Sequence, residues 1–487
     1  MEARTTTLAW LAAALLGLAT AAPAEPSLRV SEDGRHLVYP GGRPFFYLGD
    51  TAWELFHRAD REEAALYLAD RARKGFTVIQ AVALAELDGL ATPNAYGHRP
   101  LLDGDPARPA VGPGERDDYW DHVDFVVDEA ERLGLFIGML PTWGDKWVQR
   151  WGVGPEVFTP QNARVYGEWL GRRYREKPIV WILGGDRAPD GERHLAIIRA
   201  MAEGLERGDG GRHLMTFHPQ GGRNSAEWFH DDDWLDFHMV QSGHARPARP
   251  GHRFATENRA LEPAKPTLDG EPCYEDHPVK GATWERRDEP GVLLEWFDEW
   301  DVRRAGYTSL LAGACGHSYG HHSLWQLWQP GRQPISLART PWRDALHHPG
   351  ARQMGYLREL FEARPFQRLV PDQALVASPN PEGPGQVRAA RAADGSYALL
   401  YLPSGGPLDV KLEGLTGEAL RVHWFNPRQN SAQLVGELEP TTSRRFVAPS
   451  SGRNNDWVLV IDDAGAELPR LGTSHQHITP TPARDEG

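Results

Sequence analysis

Between Leu28 and about Arg364 the sequence alternates apolar β-type runs with amphipathic helical stretches, an order that few architectures accept. Strand and helix in that rhythm give a parallel sheet with crossover helices. Eight runs read as strands: Phe45–Gly49, Phe76–Leu84, Leu135–Thr142, Ile179–Gly184, Leu214–His218, Phe237–Gln241, Pro266–Gly270 and Thr308–Gly316. Arg61–Lys74 and Tyr119–Leu133 carry apolar residues at helical spacing and stop at Gly75 and Gly134, which suit a helix C-terminus. Gln161–Glu176, Gly191–Arg207 and Val292–Arg304 read as further helices. Eight β/α units close most simply into a TIM (β/α)₈ barrel, here over residues 28–374. An open doubly wound sheet would carry a Gly-rich nucleotide loop after its first strand, and the sequence has none there.

Near Leu375 the texture changes. Short alternating runs follow at Gln386–Arg391, Ser396–Tyr401, Leu408–Leu412, Ala419–Phe425 and Trp457–Ile461, punctuated by Gly, Pro and Asp. They predict a small antiparallel β-sandwich over residues 375–463, expected to contribute stability more than catalysis. From Ala464 to Gly487 the chain is rich in Pro, Thr and His without apolar periodicity and reads as a disordered tail. Residues 1–24 read as an export signal: Arg4, the apolar run Leu8 to Leu18, then the small-residue stretch Ala22-Pro23-Ala24. That run is shorter than the ~20 residues a bilayer span needs. The expected location is therefore secreted or periplasmic, without membrane insertion.

The formal net charge of −14 argues against a nucleic-acid partner, which would call for a basic stripe. Two cysteines, Cys273 and Cys315, make no disulfide framework, and no metal-spaced Cys/His cluster stands out. Neither a cofactor nor a metal is expected. The 18 tryptophans are more informative, because indole faces stack on sugar C–H surfaces while their N–H edges stay wet.

Barrel enzymes take their catalytic groups from the C-terminal ends of the strands. Those ends here offer Asp50 and Trp53, Gln80, Trp143, Asp186, His218, His238, Glu271, then His317 and Tyr319, with Trp325 a few residues on. Such a ring of acids, amides, imidazoles and indoles suits a sugar. Glycoside hydrolysis uses two carboxyl groups, and Asp186 and Glu271 each directly follow a predicted strand and a glycine, which would let substrate approach the backbone. Asp50, Asp145, Asp269 and Glu275 remain competitors by position.

The stretches Gly49-Asp50-Thr51-Ala52-Trp53, Trp181-Ile182-Leu183-Gly184-Gly185-Asp186 and Asp269-Gly270-Glu271-Pro272-Cys273-Tyr274-Glu275 resemble glycoside hydrolase family 140, the apiosidase-like enzymes of the retaining (β/α)₈ superfamily. The resemblance runs from about Leu28 to Leu375 and continues into a collagen-binding-type β-sandwich. It implies that Asp186, after strand four, is the acid/base and Glu271, after strand seven, the nucleophile. It also implies a terminal β-linked furanose such as apiose, released from plant pectic side chains or glycosides. His238, His317 and Tyr319 are the expected donors to Glu271; Gln80, Trp143, His218, Trp325 and Asp50 are the expected pocket lining. A related hydrolase of other pentose or uronide specificity, and a non-catalytic carbohydrate- or matrix-binding protein, are the competing readings.

Overall fold

The computed structural model describes residues 27–113, 117–246 and 249–472. The expected export signal and residues 473–487 of the expected tail lie outside the described residues. Eight parallel strands form the barrel: β1 (Tyr47–Thr51), β2 (Val78–Val82), β3 (Phe136–Leu140), β4 (Ile179–Gly184), β5 (Met215–His218), β6 (His238–Gln241), β7 (Thr267–Asp269) and β8 (Gly316–Tyr319). Each pairs in parallel with its sequence neighbour from β1 to β5 and from β6 to β8, and β8 returns to β1 with Tyr319 opposite Asp50. Between β5 and β6 the ladder gives way to three bonds, Asp236 N–H to Met215 O (3.0 Å), Met215 N–H to Asp236 Oδ2 (2.7 Å) and Thr216 Oγ1 to Phe237 O (2.6 Å).

The main helices are α1 (Arg61–Arg73), α2 (Tyr119–Arg132), α3 (Pro160–Tyr174), α4 (Glu192–Asp209), α5 (Gly251–Asn258), α6 (Glu299–Leu310) and α7 (Pro349–Ala363). Capping boxes fix four of the starts, at Asp60, Asp118, Thr159 and Asp298. The last of these corrects two expectations. Val292–Phe297 is extended and pairs back on the chain, with Pro278 opposite Trp296, so α6 begins only after the Asp298 cap. The apolar run Thr308–Leu311, which reads as a strand, is the last turn of that helix, and β8 starts at Gly316.

The sandwich comprises β9 (Leu369–Pro371), β10 (Arg388–Ala392), β11 (Tyr397–Leu402), β12 (Gly405–Lys411), β13 (Leu420–Asn426), β14 (Ser431–Leu438), β15 (Ser443–Ser451) and β16 (Trp457–Asp463). Six form one antiparallel sheet in the order β9-β10-β11-β16-β13-β14, and β12 pairs with β15. The sheet therefore starts at Leu369, upstream of the change in sequence texture. Side-chain alternation divides β11 between two cores. Ala398, Leu400 and Leu402 face the sandwich interior. Tyr397, Leu399 and Tyr401 pack on the barrel with Tyr307, Met354, Leu357 and Phe361. Tyr307 and Tyr401 stack at 4.7 Å. Residues 464–472 correct the expected tail: Leu468 and Leu471 pack on this same core, and Arg364 donates to the Pro469 carbonyl (2.9 Å). No helix among the described residues is long and apolar enough to cross a membrane.

A buried ion pair crosses the interface. Arg303 on α6 donates to both oxygens of Asp456 (2.9 and 2.8 Å), and both side chains are fully buried. Tyr401 donates to the same carboxylate (3.0 Å). Removing one partner of such a pair leaves a buried charge uncompensated. Arg303→Met should therefore destabilise the protein by about 3 kcal/mol, Arg428 offering Asp456 partial relief, as measured by chemical denaturation.

Candidate active site

The C-terminal ends of the strands open into a cleft of about 590 Å³. Trp53, Trp143 and Trp325 line it, together with Asp186 and Glu271. The backbone brings Asp186 there by an unusual route. Gly184, Gly185 and Asp186 all have positive φ, at 97°, 100° and 55°. A Cβ on Gly184 would stand 2.5 Å from the His218 carbonyl, and one on Gly185 would stand 2.8 Å from the Gly144 amide. These glycines thus serve a left-handed turn packed against protein. Gly270 likewise faces the Met239 side chain, so the expected close approach of substrate to these glycines is corrected.

His218 stands between the two carboxyl-bearing residues. Its Nδ1 accepts the Asp186 backbone N–H (3.1 Å), which leaves the ring proton on Nε2. That Nε2 lies 3.0 Å from Glu271 Oε2, a close polar contact off the line of a well-aligned hydrogen bond. On the other carboxylate oxygen, Gln241 Nε2 (2.8 Å) and His244 Nε2 (2.9 Å) donate to Glu271 Oε1. Asp186 Oδ2 accepts from Trp151 Nε1 (3.2 Å) and from Arg187 (3.1 Å).

These surroundings push the two acids apart. Burial would raise the Glu271 pKa, but the imidazole N–H groups of His218 and His244 that face the carboxylate outweigh it and hold the group down, at about 2. Asp186 is raised above its ordinary value, by desolvation first and by the negative charge of Glu271 second, against the opposing pull of Arg187. One carboxyl held low beside one held high is the arrangement that acid/base and nucleophilic chemistry need together.

The other expected residues separate into two groups. Trp53, Trp143 and Trp325 line the cleft, and His218 contacts its carboxylate. Gln80 lies below the floor, donating to the Gly270 carbonyl (3.0 Å) immediately before Glu271. Asp50, His238, His317 and Tyr319 do not reach the cleft. Asp50 is in a buried ion pair with Arg71 (2.6 Å) and accepts from Tyr67 (2.6 Å). His238 meets His230 (3.0 Å), Tyr319 donates to Glu275 (2.5 Å), and His317 faces the helix layer beside Gly306. The donors to Glu271 are instead Gln241 and His244, with His218 in contact. The competing acids also have structural partners: Lys146 for Asp145 (2.8 Å), Ser242 for Asp269 (2.8 Å), and Tyr319 with the Gly350 amide for Glu275.

Several cleft residues do not follow from strand ends because they stand on loops, Glu86, Trp151, His244, Tyr274 and His277, or, for His322, at the start of a short helix. Glu86 is raised to about 8, by burial and then by the charge of Asp186. The rings of His244 and His277 stack at 4.2 Å, and His322 meets His277 edge-on at 4.3 Å. Away from the cleft, Asp276, His321 and His348 form the one trio of possible metal ligands among the described residues. Arg339 and Thr340 occupy the carboxylate of Asp276, however. His321 Nδ1 accepts the Ser323 amide, which leaves its Nε2 proton to donate to His348 Nδ1 (2.9 Å).

Residues 31–368 match the family described as "Apiosidase-like, catalytic domain", and residues 370–462 match "Putative collagen-binding domain of a collagenase". Among solved structures, a chain titled "Glycoside hydrolase" is 34% identical, with a TM-score of 0.81 over 91% of this chain and 98% of that one. A glycoside hydrolase family 5 structure from Bacteroides vulgatus is 33% identical, with a TM-score of 0.83 over 92% and 96% of the two chains. A curated protein, mannan endo-1,4-beta-mannosidase 3 of Oryza sativa subsp. japonica, is 27% identical over 220 residues, 38% of this chain. The match spans only 44% of that relative's length.

The electrostatics give a test. A nucleophilic Glu271 must be ionised, so activity is present above its pKa and is lost as pH falls through it. His218→Phe removes a group that holds that pKa down. The acid limb of kcat/KM should move up by about 1–2 pH units, read from a pH–rate profile.

Proposed function

Because the chain belongs to the apiosidase-like glycoside hydrolase family, we propose that it is a retaining exo-acting member of family 140 that releases a terminal β-linked furanose, apiose, from plant pectic side chains or glycosides. The observation that carries the chemistry is the pair of carboxyls in one cleft with opposed pKa directions. Protonated Asp186 gives its proton to the glycosidic oxygen as that bond breaks, and Glu271 attacks the anomeric carbon to form a glycosyl-enzyme. Asp186, now ionised, takes a proton from water; the water oxygen attacks the anomeric carbon and Glu271 leaves. Two inversions return the starting configuration.

The cleft also supports a polyhydroxylated ligand. Buried polar atoms without a protein hydrogen-bond partner gather on its walls: Trp143 Nε1, Gln220 Oε1, Gln241 Oε1, His244 Nδ1 and Tyr274 Oη. Gln220, Gln241, His244 and Lys280 also give the cleft lining side chains able to hydrogen-bond sugar hydroxyls. The cleft volume falls in the ordinary range for small-ligand sites.

Asp186→Asn should cripple kcat/KM for poor leaving groups while sparing it for activated aryl glycosides, which depart with little protonation, although their kcat should fall because the base of the second step is gone. Glu271→Gln should abolish turnover of both. An NMR time course on apiosides and on pentosides and uronides of other configuration would test sugar and stereochemistry together. Retained apiose is the expected first product, and an inverted anomer would sink the mechanism.

A further inference from the structure

Of the four tryptophans on the cleft, three are almost fully buried: Trp53, Trp143 and Trp325. Trp151 differs, with 42% of its surface exposed. It stands on the loop between β3 and α3, and its indole N–H reaches Asp186 Oδ2 (3.2 Å). The ring is held in place from behind. The Arg187 guanidinium lies 4.0 Å from the ring centroid and donates to the Trp151 carbonyl (2.5 Å). Arg187 is itself fully buried and also donates to the Asp186 carbonyl (2.8 Å). One cation thus orients both the acid and an indole whose remaining surface is open to the cleft.

A general acid in this mechanism stands at the glycosidic oxygen, between the sugar that is transferred and the group that departs. Gln241, His244 and His218 surround the nucleophile and define the transferred-sugar side. Trp151 stands on the other side, at the more exposed carboxyl: the Asp186 side chain is 21% exposed, against 7% for Glu271. Resting on the glycosidase reading above, we propose that Trp151 is the platform of the leaving-group subsite, stacking on the flat face of a ring-shaped aglycone. Its indole N–H links that platform to the acid. The bond favours the ionised form of Asp186, the form left behind once the leaving group has taken its proton.

The test uses one transferred sugar with three leaving groups, methanol, an aryl alcohol and a pyranose, on the wild type, Trp151→Ala and Trp151→Phe. Trp151→Ala should lower kcat/KM for the aryl and pyranosyl substrates about five- to tenfold more than for the methyl glycoside, the worth of a ring contact. Trp151→Phe should restore most of that discrimination through its ring. Lacking the N–H, it should also move the alkaline limb of the pH profile upward, because the bond that lowers the Asp186 pKa is gone. A gain confined to the aryl substrate would identify an aromatic aglycone, and a gain confined to the pyranoside a sugar. Equal losses on all three substrates, or no restoration by phenylalanine, would overturn the platform alone. Failure of the wild type to cleave any of the three would overturn the hydrolase reading and the platform with it.

Discussion

Two carboxyls share one cleft here in unlike surroundings, and the arrangement turns on one imidazole that touches both residues. His218 accepts the backbone N–H of Asp186 on one nitrogen and presents the other to Glu271. The first contact needs the left-handed Gly184-Gly185-Asp186 turn, since an extended backbone would carry that N–H away along the sheet. The second needs β5 and β7 at a fixed spacing, which the closed barrel supplies. The tautomer of a side chain is in this way set by the main-chain path of a neighbouring strand.

Around that bridge, each carboxyl has a distinct environment. Glu271 gathers an amide and two imidazoles, so its negative charge is solvated by protein dipoles. Asp186 has Arg187, yet burial and the charge of Glu271 prevail and raise it. The negative charge of Glu271 therefore helps to hold the Asp186 pKa up. In the proposed double displacement, forming a glycosyl ester would neutralise Glu271, remove that repulsion and leave Asp186 free to ionise and serve as the base.

Much of this was legible from sequence because the β/α rhythm is strong and the strands are apolar. The limits are equally physical. Asp50, His317 and Tyr319 lie on the helix-facing parity of their strands, and His238, on the same parity, opens β6 at the end remote from the cleft. Inward parity belongs to Tyr47, Val78, Gln80, Met239 and Leu268, and extending it along β6 reaches Gln241, a true donor to Glu271. Counting alternation from Gln80 and Met239 would have separated the two groups. His244, Glu86 and Trp151 carry no such periodic signal, because loop conformation alone brings them to the cleft. The α6–β8 boundary was obscured because Thr308–Leu311 is apolar enough for a strand, and only the Asp298 cap places it in a helix.

The central claim is that Glu271 is the ionised nucleophile. The most direct measurement is to trap the glycosyl-enzyme with a 2-fluoro furanosyl donor bearing an activated leaving group, digest the protein and locate the adduct by mass spectrometry. One adduct is expected, on Glu271, formed at a rate that Asp186→Asn reduces little. An adduct on Glu86, Asp186 or Asp269, or turnover of the donor with inversion and no adduct, would contradict it.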